Sequence, residues 1–244
     1  MARFNPTLKE SVFKSAYVSA GAERMTLQGT VIKSFLLIAL TIFSATWVWA
    51  NVATKPFIVG PAILVGALGG LVVALITTFR PQSAPITAPI YAVLEGLALG
   101  AISAIYQARF KGLPFEAIGL TFMVALGMLV AYQTGLLRAT ETFKRVVISA
   151  TVGIMFFYLF AMVVRLFGVP MPFLHDSSPL GIGISLVITG VAALNLILDF
   201  DLIEQGAKNG AAKYMEWYGG FSLLVTLVWL YLEILRLLSR LQRR

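Results

Sequence analysis

Long apolar runs alternate with short polar breaks along the chain. Seven runs stand out, at residues 31–50, 57–79, 88–106, 115–136, 146–167, 180–200 and 217–238. A helix crossing the hydrocarbon core of a bilayer needs ~20 mostly apolar residues, which is the size of each run. The breaks, at residues 51–55, 80–85, 109–114, 138–145, 170–179 and 204–213, hold charges, proline or glycine. The pattern predicts an all-α integral membrane protein, a bundle of seven transmembrane helices. Short connections place each helix beside the next. Residues 1–30 read as a polar tail, expected to form an amphipathic helix on the membrane surface. The transmembrane domain is expected at 31–238 and a basic C-terminal tail at 239–244. The first run is too long for a signal-peptide core, and Ala50-Asn51-Val52-Ala53 is a poor cleavage site, so an uncleaved first span is expected.

Composition removes the alternatives. Of the 244 residues, 59% are hydrophobic and 12% charged, against about 25% charged in a soluble domain. Lipid must solvate part of this surface. There is no cysteine, which excludes disulfides, thiolate catalysis and cysteine-ligated metals. The net charge of +8 reads as basic loops and tails that orient the spans and meet anionic lipid, not as a nucleic-acid surface. With the N-terminus inside, eleven Lys and Arg residues fall in inner segments. Four fall outside: Lys55, Arg109, Lys111 and Arg165. That bias predicts a cytoplasmic N-terminus. Arg236, Arg240, Arg243 and Arg244 would then lie outside, so the last segment either spans fully or enters and returns.

Glycines provide for close packing. Gly66, Gly69 and Gly70 lie in the second run, and Gly96 and Gly100 form a GxxxG step in the third. Such steps let helix backbones approach in lipid.

Acids inside the runs carry the candidate chemistry, because a charge near the bilayer centre costs roughly 2.5–3.5 kcal/mol on insertion scales. Glu95 lies well inside the third run. Asp199 lies near the end of the sixth, with Asn195 four residues earlier on the same helix face. Asp201 is about 200° round the helix from Asp199 and is expected to meet headgroups and water. Glu233 stands three residues before Arg236, and an ion pair at the outer interface accounts for it. Arg80, at the inner end of the second run, is expected at the level of Asp199. An Arg80–Asp199 pair would close the inner side of a cavity containing Glu95, and would weaken as Asp199 took a proton.

Three stretches carry a family resemblance. Leu196-Ile197-Leu198-Asp199-Phe200-Asp201-Leu202-Ile203 resembles the sixth-span motif of the Bax inhibitor family. Leu230-Tyr231-Leu232-Glu233-Ile234-Leu235-Arg236-Leu237-Leu238 resembles its last span, and Glu95-Gly96-Leu97-Ala98-Leu99-Gly100-Ala101-Ile102-Ser103 its third. The resemblance implies a seven-helix fold with the last helix central. It also implies a pH-sensitive calcium leak, gated by an arginine of the second span and aspartates of the sixth and seventh. By motif, Arg80 and Asp199 fill the first two places. Thr226, which does not titrate, stands at the third and would face the pore. Glu95 is our candidate for the missing carboxylate.

The first expected function is therefore a calcium or cation leak with an Arg–Asp inner gate, needing no cofactor beyond the passing ion. The second is a regulatory protein that binds another membrane protein, such as a membrane-bound protease, through its polar tail. An enzyme is not expected. The single histidine, His175, falls in an outer loop, and neither HExxH nor GxSxG is present. No Asp on another span is paired with Asp199. Short loops point to a bacterial cytoplasmic membrane.

Overall fold

The computed structural model describes residues 23–167 and 178–243. His175 and the tail up to residue 22 lie outside them. Seven helices follow in order: α1 (Leu27–Val52), α2 (Val59–Phe79), α3 (Ala84–Arg109), α4 (Leu113–Gln133), α5 (Glu141–Leu166), α6 (Pro179–Lys208) and α7 (Met215–Leu241). Each is long and apolar enough to cross a membrane, so the seven-helix expectation holds. Large apolar side chains point outward, among them Phe43, Phe57 and Met123, each more than 70% exposed. Water would penalise such a surface and lipid would not.

The helices outrun the apolar stretches. Thr26 caps α1 by accepting from the Gly29 amide, so the first helix begins at Leu27, inside what reads as tail. α5 begins at Glu141. α6 continues to Lys208 through a charged turn in which Lys208 pairs with Glu204. Hydropathy marks lipid contact, not the end of the backbone ladder, and polar residues carry a helix beyond the hydrocarbon region.

By contact the chain forms two compact units. The first holds α1, α2, α3, residues 199–208 of α6 and residues 215–225 of α7. Here α3 packs on both α1 and α2, while α1 and α2 barely meet. Glycines explain the closeness. A methyl group at Gly96 would overlap Ser44 Oγ and the Thr41 carbonyl, and one at Gly100 would stand 2.8 Å from Ala45 Cα. Opposite, a methyl at Gly66 would stand 2.6 Å from the Leu94 carbonyl oxygen. Thr41 reinforces the first seam by donating to the Ala92 carbonyl at 3.1 Å.

At one end of this unit the backbone before α1 pairs with the α6–α7 link. The Met25 amide donates to Ala211 O at 2.7 Å, and the Lys213 amide to Glu23 O at 3.2 Å. Tyr214 hydrogen-bonds Gln82 of the α2–α3 link. Three segments separated by even numbers of spans thus share one side, as full spans require.

The second unit holds α4, α5, residues 179–198 of α6 and residues 226–241 of α7. Here buried Arg240 donates to the Gly181 carbonyl in the first turn of α6. α7 is one unbroken helix of 27 residues whose end meets the beginning of α6. The last segment therefore spans, and the re-entrant alternative is set aside. α7 is also the most buried of the seven.

Candidate functional site

Asp199 is buried in the first unit, at 3% exposure. It lies nine residues before the end of α6, about 13 Å along the axis, so the helix carries it well inside instead of leaving it at the tip. Ser222 of α7 donates to Asp199 Oδ1 at 2.7 Å. Tyr218, one helical turn before Ser222 and fully buried, lies close enough to feel the Asp199 charge. Two hydroxyl-bearing side chains of α7 thus face one carboxylate of α6.

Arg80 is carried by a different element. It sits where α2 ends and the chain turns into a short 3-10 segment at Pro81–Ser83. The residue is exposed. α2 stops at Phe79, one residue before it.

Glu95 faces α2. It is half-buried, hydrogen-bonded to Tyr91 one turn earlier on α3, and Gly70 makes room for it, since a methyl there would stand 2.8 Å from Glu95 Oε1. Asp201 is half-exposed, and Gln205 Nε2 donates to it at 2.6 Å, in keeping with a place away from the Asp199 face.

In the second unit, Asn195 is buried and donates through Nδ2 to Thr151 Oγ1 and to the Val191 carbonyl, both at 2.8 Å. Thr226 is buried as well. The expected Glu233–Arg236 ion pair is formed, with 3.1 Å between Nη1 and each carboxylate oxygen. Its surroundings differ from an outer interface, because Glu233 is 2% exposed. Tyr158 of α5 donates to Glu233 Oε1 at 2.7 Å, and Trp229 Nε1 does so at 3.3 Å. The Arg236 guanidinium stacks 5.2 Å from the Tyr158 ring centre. Every part of the carboxylate has a donor, which is what keeps an ion pair tolerable in a dry interior.

The family described as Bax inhibitor 1 like matches residues 5–243, nearly the whole chain. The chain belongs to that family. No curated protein and no solved structure matches it. Membership agrees with the seven spans and with the three motifs. It leaves the roles of Arg80, Asp199 and Thr226 to be argued from the geometry.

One charged group escaped the sequence reading. Glu216, in the first turn of α7, has no exposed surface. It receives Lys33 Nζ at 2.9 Å on Oε2 and Lys213 Nζ at 3.2 Å on Oε1. The Thr26 amide and hydroxyl donate to Oε1 at 3.0 and 2.8 Å. The carboxylate also lies against the N-terminus of α1, where the helix dipole favours negative charge. Glu216 falls between the 204–213 break and the last apolar run, where an acid reads as solvated. Gly29 was the usable signal: a glycine in the first turn of a helix, between a capping Thr26 and a Lys33 one turn on. Among the described residues no three carboxylate, imidazole or thiol groups gather into a metal cage.

Proposed function

We propose that the protein is a non-enzymatic, pH-sensitive cation leak of a bacterial cytoplasmic membrane, with its N-terminus inside and calcium as the cation carried. The observation that supports this reading best is the buried Asp199 carboxylate on α6, facing the hydroxyls of Ser222 and Tyr218 on α7. Oxygen ligands suit a hard cation. One carboxylate and its hydroxyl neighbours make a step a cation can leave, not a cage that retains it. Conduction needs that weakness, since an ion held by a full ligand set does not move on. Protonation of Asp199 removes the charge that attracts the cation. Arg80 lies on the same chain side as the links at 81–83 and 209–214. An Arg80–Asp199 gate at the inner side belongs to the same reading.

The test is calcium efflux from loaded proteoliposomes at pH 6 and pH 8. Wild-type protein is expected to conduct with a clear difference between the two. Asp199→Asn is expected to abolish the difference, because an amide does not titrate. Efflux equal to empty vesicles, or an unaltered pH response in Asp199→Asn, refutes the reading. Arg80→Ala tests the gate separately, and an unchanged pH response there removes Arg80 and leaves Asp199.

The pairing of residues 23–25 with 211–213 favours a second role, binding of a membrane protein through the tail, because it fixes the base of that tail to the membrane domain. Deleting residues 1–20 should abolish co-purification of such a partner; retained binding counts against the tail.

A further inference from the structure

We propose that Phe221 is the barrier a cation must pass between Glu95 and Asp199, with the rings of Tyr91 and Tyr218 beside it. The proposal rests on the cation-leak reading and adds to it the residue that limits flux. Phe221 is wholly buried on α7. Tyr91 of α3 meets it edge to face, with centroids 5.0 Å apart and planes at 78°. Tyr218, three residues earlier on α7, has its ring centre 6.1 Å from that of Phe221. Each tyrosine ends at a carboxylate. Tyr91 is hydrogen-bonded to Glu95, and Tyr218 adjoins Asp199. Pairwise contacts thus link Glu95, Tyr91, Phe221, Tyr218 and Asp199 in series.

Adjacent positions of α7 divide the labour. Ser222 turns a hydroxyl to Asp199 on α6, while Phe221, about 100° round the helix, turns a ring to α3. Glu95 meets the aromatic series through Tyr91 on α3, and Asp199 meets it through Tyr218 and Ser222 on α7. A cation can exchange hydration water for carboxylate, hydroxyl or phenol oxygen at either side. The phenyl face offers no oxygen, and an apolar constriction of this kind closes a path by excluding water.

The backbone carrying the ring has little room to move aside. A methyl at Gly219 would stand 3.0 Å from Ile203 Cγ1, and one at Gly220 3.2 Å from the Ser34 amide nitrogen. These glycines seat α7 tightly against α1 and α6. Opening must come from rotation of the Phe221 ring or displacement of Tyr91, not from a sideways shift of α7 at this level.

The competing account is that Phe221 only fills the core, and flux separates the two. Phe221→Ala and Phe221→Leu are reconstituted as full chains and compared with wild type at the pH where wild-type efflux is lower. A barrier predicts a severalfold rise in calcium efflux for Phe221→Ala and a smaller rise for Phe221→Leu. Adding Asp199→Asn to Phe221→Ala should bring efflux down again, which a nonspecific leak through misfolded protein would not do. Should the alanine variant fail to reconstitute, Phe221→Leu decides alone, since it keeps an apolar side chain of nearly the same bulk. Efflux at or below the wild-type level in Phe221→Leu, or in both variants, overturns the barrier. The reading beneath it fails differently, by wild-type efflux that does not depend on Asp199.

Discussion

Replacing Gly29 by alanine should destabilise the protein, against the usual rule for a helical glycine. In the first turn of α1, with nothing nearby, the change would stabilise by up to about 1 kcal/mol through helix propensity. The added methyl would instead overlap the Glu216 carboxylate, all three of its terminal atoms. A carboxylate is ordinarily the movable end of a flexible side chain. This one is held by Lys33, Lys213 and both donors of Thr26. To admit the methyl it must leave them, and breaking a buried pair costs roughly 3–5 kcal/mol. The net expectation is a loss of about 2–4 kcal/mol, the pair cost less the propensity gain. Thermal or denaturant unfolding in detergent micelles, followed by circular dichroism, measures it. Glu216→Ala should lose a similar amount. The double variant should be no worse than Glu216→Ala, because the methyl then meets no carboxylate. A Gly29→Ala protein as stable as wild type, or more stable, would refute the hub as drawn.

Further expectations follow from other sites. Gly96→Ala should lower stability by roughly 1–3 kcal/mol through overpacking against Ser44 and Thr41, while Gly119→Ala, with open space around it, should be neutral or mildly stabilising in the same unfolding assay. Glu233→Ala should cost about 3–5 kcal/mol because it leaves Arg236 without its buried partner, and Tyr158→Phe about 1–2 kcal/mol for one hydrogen bond to a charged group; equal stability of either variant and wild type would show the cluster to be dispensable. Ser222→Ala should alter the pH dependence of calcium efflux and leave the unfolding midpoint within a few degrees; an unshifted profile would mean that Ser222 does not tune Asp199.

The spans were legible because lipid imposes a single rule, that a long apolar run must be a helix. The glycine seams were legible for a related reason, since GxxxG spacing puts both glycines on one face whichever neighbour packs there. Depth was harder to read. Apolar runs placed Asp199 near the end of its helix, but the charged turn through Glu204 and Lys208 carries that helix nine residues further. Glu233–Arg236 was visible from its spacing, and so was Trp229 one turn earlier, but the burial was not, because Tyr158 completes the cluster from α5, which spacing along α7 does not connect. Glu216 was hidden most thoroughly. Of its partners, Thr26 reads as tail and Lys33 as the start of the first run, and only the fold brings these two to it.

The hub also sets an order in time. Thr26 and Glu216 are 190 residues apart in the chain. At a synthesis rate of roughly 5–20 residues per second, about 10–40 s separate the emergence of the two. Throughout that interval the first span carries an ammonium and a capping amide whose shared acceptor does not yet exist. The helix made first is thus the one finished last, and a nascent protein lacking only α7 has an incomplete beginning as well as a missing end. Quality control that senses exposed charge near the start of α1 would therefore be reading whether the final helix has arrived.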